Sequence, residues 1–161
     1  MILVAALALP AKDNDKGGFN GKWALDKKTS PSGSEAPDNM VEHIKQKGNQ
    51  LVIQSTWQEP KNGIYGLSML GLTQSEMKFS TDGTEDDYMI GPYHFKSKTT
   101  MDGNKMVTTW AAASDNADQK ANLDGTWTRA ISDDGKQMTV QVQGKSSDGR
   151  STNSTFIFKR K

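Results

Sequence analysis

The chain contains few side chains that could catalyse a reaction or hold a metal ion. It has two histidines and no cysteine, which excludes thiolate chemistry, disulfides and cysteine-ligated metals. In an extended chain, alternate residues share a face, so His43 lies beside Lys45, and His94 beside Lys96. Neither histidine faces a nucleophile. We therefore predict no cofactor and no metal site, and leave open whether the protein is an enzyme.

Two charged features have alternative interpretations. The acidic run Glu85-Asp86-Asp87 follows a turn and is interpreted as the solvated start of a strand, with a calcium site as the alternative. Arg129 shares a strand face with Trp127 and Ile131, and its charge cannot be removed by a pKa shift. It must therefore be paired, point at an anionic ligand, or reach water at the strand end. Because most arginines stay exposed, the last reading is favoured.

Aromatic side chains share strand faces with hydroxyl groups, and this mixture is the strongest functional signal. A solid core favours aliphatic residues, whereas a ligand pocket is mostly apolar with a few placed polar groups. The alternative is that the hydroxyls satisfy one another or hold buried water. The residues predicted to bind a small hydrophobic or amphipathic molecule are Trp57, Tyr65, Tyr88, Tyr93, Phe95, Trp110, Trp127, Arg129 and Phe156.

Short β-prone runs separated by turn signals must position these side chains. The turn signals are Gly48-Asn49, Asn62-Gly63, Asp82-Gly83, Asp102-Gly103, Asp134-Gly135 and Asp148-Gly149, and each is interpreted as a hairpin. The runs between them are 21–26, 40–47, 50–57, 65–73, 77–81, 85–90, 93–101, 105–112, 125–132, 137–144 and 151–159. Strands joined to their next neighbours predict an all-β fold, an antiparallel up-and-down meander barrel of about 8–10 strands.

Composition limits the class of partner. The 161 residues suffice for one domain, and the mean hydropathy of −0.72 fits a barrel wall with one face in water. Basic and acidic residues number 20 and 19, giving a net charge of +1. No field of one sign exists to attract nucleic acid, so none is expected as a partner.

The first eleven residues, from Met1 to Ala11, are almost unbroken apolar sequence followed by a polar leader. We interpret residues 1–16 as the remnant of an export signal with its leader, and residues 17–161 as the barrel domain. The alternative is an ordinary buried strand. The tract is too short for a membrane span, so we predict a periplasmic or secreted protein without an integral span.

Both ends of the chain resemble a known superfamily. The motif Phe19-x-Gly21-x-Trp23 and the C-terminal run 156–161 resemble the calycins, which include the lipocalins and fatty-acid-binding proteins. The chain looks most similar to small exported bacterial lipocalin-like proteins. This resemblance implies that Trp23 lies at the closed end of a barrel beneath a basic side chain, for which Arg160 is the candidate. Fatty-acid-binding proteins also hold a carboxylate with an inward arginine, the role implied for Arg129.

Three functions are compatible with these observations. The favoured one is an exported, lipid-binding type of protein that encloses a small molecule. The alternative is an isomerase, lyase or hydrolase that uses the barrel cavity as its active site, because fold does not exclude catalysis. The third is an interaction module, for which the apolar run 64–72 would be the contact surface.

Overall fold

The computed structural model describes residues 18–58, 72–91, 93–114 and 122–161, which form ten antiparallel strands. The strands are β1 (Gly21–Leu25), β2 (Asp38–Lys47), β3 (Gln50–Gln58), β4 (Glu76–Ser80), β5 (Asp82–Ile90), β6 (Tyr93–Asp102), β7 (Lys105–Ser114), β8 (Leu123–Ile131), β9 (Gln137–Ser146) and β10 (Ser151–Arg160). A 3-10 turn at Gly33–Glu35 interrupts the loop between β1 and β2.

All ten strands belong to one sheet in the order β4-β3-β2-β1-β10-β9-β8-β7-β6-β5. The first strand pairs with the last, as in Trp23 opposite Arg160, so the sheet curls into a barrel. The barrel is nearly closed, because β4 and β5 face each other without a hydrogen-bonded ladder. The predicted all-β meander barrel is confirmed. The predicted strand over 65–73 lies almost entirely outside the described residues.

One predicted hairpin is wrong. The turn at Asp82-Gly83 joins β4 to β5, but those strands are the two edges of the sheet and are not paired. Gly83 has a φ of +84°, and the pairing of β5 with β6 is irregular between Asp82 and Glu85. A glycine turn permits a reversal of the chain, but it does not oblige the strands on either side to pair. We call the unpaired boundary between β4 and β5 the seam.

The barrel is closed at one end by Trp23 and Arg160. The Arg160 guanidinium lies 4.2 Å from the Trp23 ring centroid and donates to the carbonyl oxygens of Gly18, Asn20 and Gly135 at 2.6–2.7 Å. Trp23 is fully buried, and its indole nitrogen donates to a backbone carbonyl. The pairing implied by the superfamily resemblance is confirmed, and it plugs the barrel with a cation–π contact and three hydrogen bonds.

Two glycines leave room for large side chains. A Cβ atom at Gly21 would lie 2.8 Å from Arg160 Nη1, and one at Gly125 would lie 2.6 Å from Trp110 Cζ2. Gly125 also packs against the backbone, because its Cβ would lie 2.1 Å from the Gln143 carbonyl oxygen. Glycine therefore stands at these positions because a neighbouring side chain or strand occupies the space that a side chain would need.

Candidate functional site

The barrel interior contains a chain of contacting aromatic rings, which we call the aromatic stack. It runs from Tyr88 through Phe95 and Trp110 to Trp127, with centroid separations of 5.9, 5.5 and 5.3 Å between successive rings. Phe79 meets Trp127 edge-on at 6.4 Å. These are the separations at which aromatic pairs attract. The rings come from β4 to β8, the half of the barrel that borders the seam.

Four of the nine predicted site residues form this stack. Among the others, Trp57 and Tyr93 are partly buried and pack against the core, while Phe156 is fully buried on β10. Tyr65 lies outside the described residues. The stacked rings contact one another instead of facing an open space between them, and Phe95 and Trp127 are almost completely buried. A molecule that binds between these rings must therefore separate them.

Arg129 is buried and paired, so the favoured reading of an exposed strand-end arginine is wrong. Its side chain is 3% exposed, and Nη2 donates to Oε1 of the fully buried Glu42 at 3.0 Å. Glu42 projects from β2, which is separated from β8 in the sheet by three strands, so the pair bridges the barrel interior. Most arginine side chains are exposed, but here a carboxylate on another strand offsets the desolvation cost of burying the guanidinium.

Sequence reasoning missed Glu42, although a signal was present. Met40, Glu42 and Ile44 alternate along β2, and all three are buried. A carboxylate at an inward position of such an alternating strand requires a buried cation or donor. Arg129 was the inward cation available, but one strand pattern cannot reveal which distant strand faces it.

The buried polar groups are incompletely satisfied. Among the described residues, no hydrogen-bond partner is present for Arg129 Nε and Nη1, Glu42 Oε2, Trp110 Nε1 or Trp127 Nε1. Four of these five atoms are nitrogens that carry hydrogen, and one is an acceptor oxygen. Buried polar groups in folded proteins nearly always have partners, so each such group calls for an explanation. The interior therefore offers a surplus of hydrogen-bond donors.

The seam is fastened by a side chain and opens into a groove. Asp86 on β5 accepts hydrogen bonds from the backbone nitrogen and the hydroxyl of Ser80 on β4, both at 2.7 Å. Beside this contact lies a groove of about 300 Å³. It is lined by Gln74, Glu76, Met77, Lys78, Asp86, Asp87, Tyr88 and Met89. Met77 and Tyr88 belong to the inward faces of their strands, so the groove reaches the first ring of the aromatic stack.

The predicted solvated acidic run has specific partners. Glu85 pairs with Lys96 and with Lys98 on β6, and Asp87 pairs with His94. Asp86 is the member that reaches across the seam. No group of three or more histidine, aspartate or glutamate side chains suited to a metal ion occurs in the described part of the chain.

Tyr88 is the ionisable member of the aromatic stack. Burial raises its pKa to about 12, and the hydrogen bond that its hydroxyl shares with that of Ser97 at 3.2 Å partly opposes the rise. The phenol therefore remains protonated at neutral pH, where it donates a hydrogen bond and does not act as a general base. No observation at this side chain favours the enzyme alternative.

Comparison with known proteins gives a match by structure. No protein-family model matches the sequence, and no curated protein matches it. A secretory abundant heat soluble (SAHS) protein from Ramazzottius varieornatus has a similar structure, with a TM-score of 0.50 and 12% sequence identity over 89% of this chain and 95% of that chain. Secretory abundant heat soluble protein 4 from the same organism gives a TM-score of 0.47 at 13% identity, over 88% and 94% of the two chains.

At 12% identity, the match to the first SAHS protein concerns the fold alone. The match to SAHS protein 4 has a lower TM-score and does not bear on the fold. The ten-stranded, nearly closed antiparallel barrel and the first match together support a calycin-like fold. They leave the bacterial and exported assignments as proposals. No helix among the described residues has the length and apolar character needed to cross a bilayer.

Proposed function

We propose that this protein binds a small apolar or amphipathic molecule in the interior of its barrel, and that the molecule enters through the seam. The observation that carries the proposal is the groove between β4 and β5, which joins the outside of the barrel to Tyr88. Tyr88 is the half-buried end of a continuous stack of rings. Aromatic rings give a bound molecule a large contact area at low cost in side-chain entropy.

The seam is the part of the wall that can open with the least loss of hydrogen bonding. Separating any paired neighbours would break a ladder of backbone bonds, as between β5 and β6. Separating β4 from β5 instead breaks the two bonds that Ser80 donates to Asp86. Hydrogen bonds to a charged group contribute about 1.5–3 kcal/mol each, so the loss of these two is within reach of thermal opening.

The side chains that border the groove also suit an apolar guest. Met77 lines the groove on the inward face of β4, and Met89 lines it with 60% of its surface exposed. Methionine is flexible and polarizable, and it makes favourable contacts with aromatic rings. A guest that enters beside Tyr88 exchanges ring–ring contacts for ring–guest contacts, so the displaced stacking is partly recovered.

Titration with naphthalene, a planar apolar probe, tests this proposal. Binding at the stack should alter the tryptophan fluorescence and shift the NMR signals of the Trp110 and Trp127 indole N–H groups. Tyr88→Leu should weaken binding about tenfold by removing the ring at the groove. Phe158→Leu removes a buried ring that belongs neither to the stack nor to the groove lining, so it serves as the matched control and should retain binding. Equal binding by all three proteins, or none by the wild type, would contradict the proposal.

We also propose that the protein is exported to the periplasm or the medium. The support is the apolar tract from Met1 to Ala11 followed by a polar leader, as in cleaved export signals. To test export, all 161 residues are expressed in a bacterium, and the protein is recovered separately from the cytoplasm, the periplasm and the medium. The small-residue motifs Ala6-Leu7-Ala8 and Leu9-Pro10-Ala11 are possible signal-peptidase sites, so N-terminal sequencing should find a chain outside the cytoplasm that begins after residue 8 or residue 11. An intact N-terminus in the cytoplasm would refute export.

A further inference from the structure

We infer that the molecule bound in the barrel is an uncharged compound with a carbonyl acceptor, such as a ketone, an aldehyde or an ester, and not a carboxylate. This inference rests on the proposed function and identifies the chemistry of its ligand. It follows from two properties of the interior, the surplus of unpartnered donors and the neutralised charge of Arg129.

The unpartnered donors belong to the aromatic stack or lie two residues from it in sequence. Trp110 and Trp127 are the inner half of the aromatic stack, their rings are 5.3 Å apart, and both indole N–H groups lack a partner in the described structure. Arg129 follows Trp127 by two residues on the same face of β8, and two of its nitrogens are also unpartnered. A buried donor without an acceptor costs about 1–3 kcal/mol. A guest oxygen that accepts from one of these groups recovers part of that cost.

Charge then decides between acceptors. A carboxylate is a strong acceptor, and an unpaired Arg129 would attract one. The Glu42 carboxylate lies 3.0 Å from the guanidinium, so the pair carries no net charge. A second carboxylate near this pair would add an uncompensated negative charge to a buried site and would be repelled by Glu42. An uncharged carbonyl accepts the same hydrogen bonds without that cost.

Glu42 is therefore the residue that sets ligand specificity. In Glu42→Gln the shape at this position is nearly kept, while Arg129 becomes an uncompensated cation. Such a barrel should prefer an anionic guest, because the guest replaces the lost counter-charge. The wild-type preference and its reversal in the variant come from the same pair of side chains.

Calorimetric titration with three probes of similar size tests the inference: naphthalene, 2-acetonaphthone and 2-naphthoate. The wild type should bind acetonaphthone about tenfold more tightly than naphthalene, and naphthoate most weakly. Trp110→Phe and Trp127→Phe keep an aromatic ring and remove one donor each, so at least one should lower the affinity for acetonaphthone about tenfold while naphthalene binding stays within about twofold. Trp23→Phe removes an indole N–H that already donates to the Phe19 carbonyl, so it is the matched control and should leave the order unchanged.

The outcomes separate this inference from the proposed function. If naphthoate or naphthalene binds as tightly as acetonaphthone, the inference about the carbonyl group is overturned, while the proposal that the barrel binds a small molecule is retained. Binding of none of the three probes overturns both. In Glu42→Gln the order of acetonaphthone and naphthoate should reverse, and an unchanged order in a folded variant would overturn the role of Glu42. Since the order of the three probes in the wild type needs no variant, misfolding of Glu42→Gln does not prevent the test.

Discussion

Breaking the buried pair between Glu42 and Arg129 should destabilise the barrel more than removing a surface pair. Glu42→Gln leaves a guanidinium that is 3% exposed without a counter-charge. Loss of one partner from a buried ion pair costs about 3–5 kcal/mol. For a domain of this size that corresponds to a fall of about 6–20 °C in the unfolding midpoint. Asp38→Asn, which removes the exposed pair with Lys27, should cost about 0–1 kcal/mol.

The double variant Glu42→Leu with Arg129→Met separates the cost of an orphaned charge from the net contribution of the pair. Because it removes both charges and the three unpartnered polar atoms of this pair, its stability should equal or exceed that of the wild type, by about 0–4 kcal/mol. Urea unfolding of the wild type and all three variants, followed by circular dichroism, measures these differences. A cost below about 1 kcal/mol for Glu42→Gln, or a double variant as unstable as the single one, would refute the reasoning.

Three further perturbations have defined outcomes. Gly125→Ala places a methyl group 2.1 Å from the Gln143 carbonyl oxygen and should cost about 3 kcal/mol or prevent folding, as urea unfolding would measure. Arg160→Met removes three hydrogen bonds and a cation–π contact and should cost about 2–4 kcal/mol by the same assay, whereas loss of a mere surface charge would cost almost nothing. Hydrogen bonds from Thr84 hold the pKa of Asp82 at about 2. The ionised carboxylate therefore stabilises the fold at pH values above its ordinary pKa near 4, and this contribution is lost as the pH falls toward 2. In Asp82→Asn the urea midpoints measured at neutral and at acid pH should therefore differ less than they do in the wild type.

The fold was largely predictable because its signals are local. Period-two alternation, as in Gln137 to Gln143, assigns each side chain to a face before any strand is paired. Glycine turns such as Gly103, with a φ of +56°, mark where the chain reverses. Both signals read only neighbouring residues, and an up-and-down barrel pairs nearly every strand with its neighbours in sequence.

The candidate site was predictable in composition but not in arrangement. The inward aromatic residues, including Phe95 and Trp110, follow from alternation alone. Their contacts with each other, and the pairing of Glu42 with Arg129 across the barrel, depend on closure, which brings together residues 87 positions apart in sequence. The seam was missed for the same reason, because the turn at Asp82-Gly83 has the sequence of a hairpin while barrel geometry separates its strands.

The position of a bound probe relative to the aromatic stack tests the central claim most directly. A structure of the protein soaked or crystallised with 2-acetonaphthone should place the naphthyl ring against Tyr88 and Phe95, on the inner side of the seam, with the ketone oxygen within hydrogen-bond distance of an indole or guanidinium nitrogen. A probe bound only on the outer surface, or a saturated crystal whose stack keeps its 5.3–5.9 Å ring separations without a guest, would contradict it.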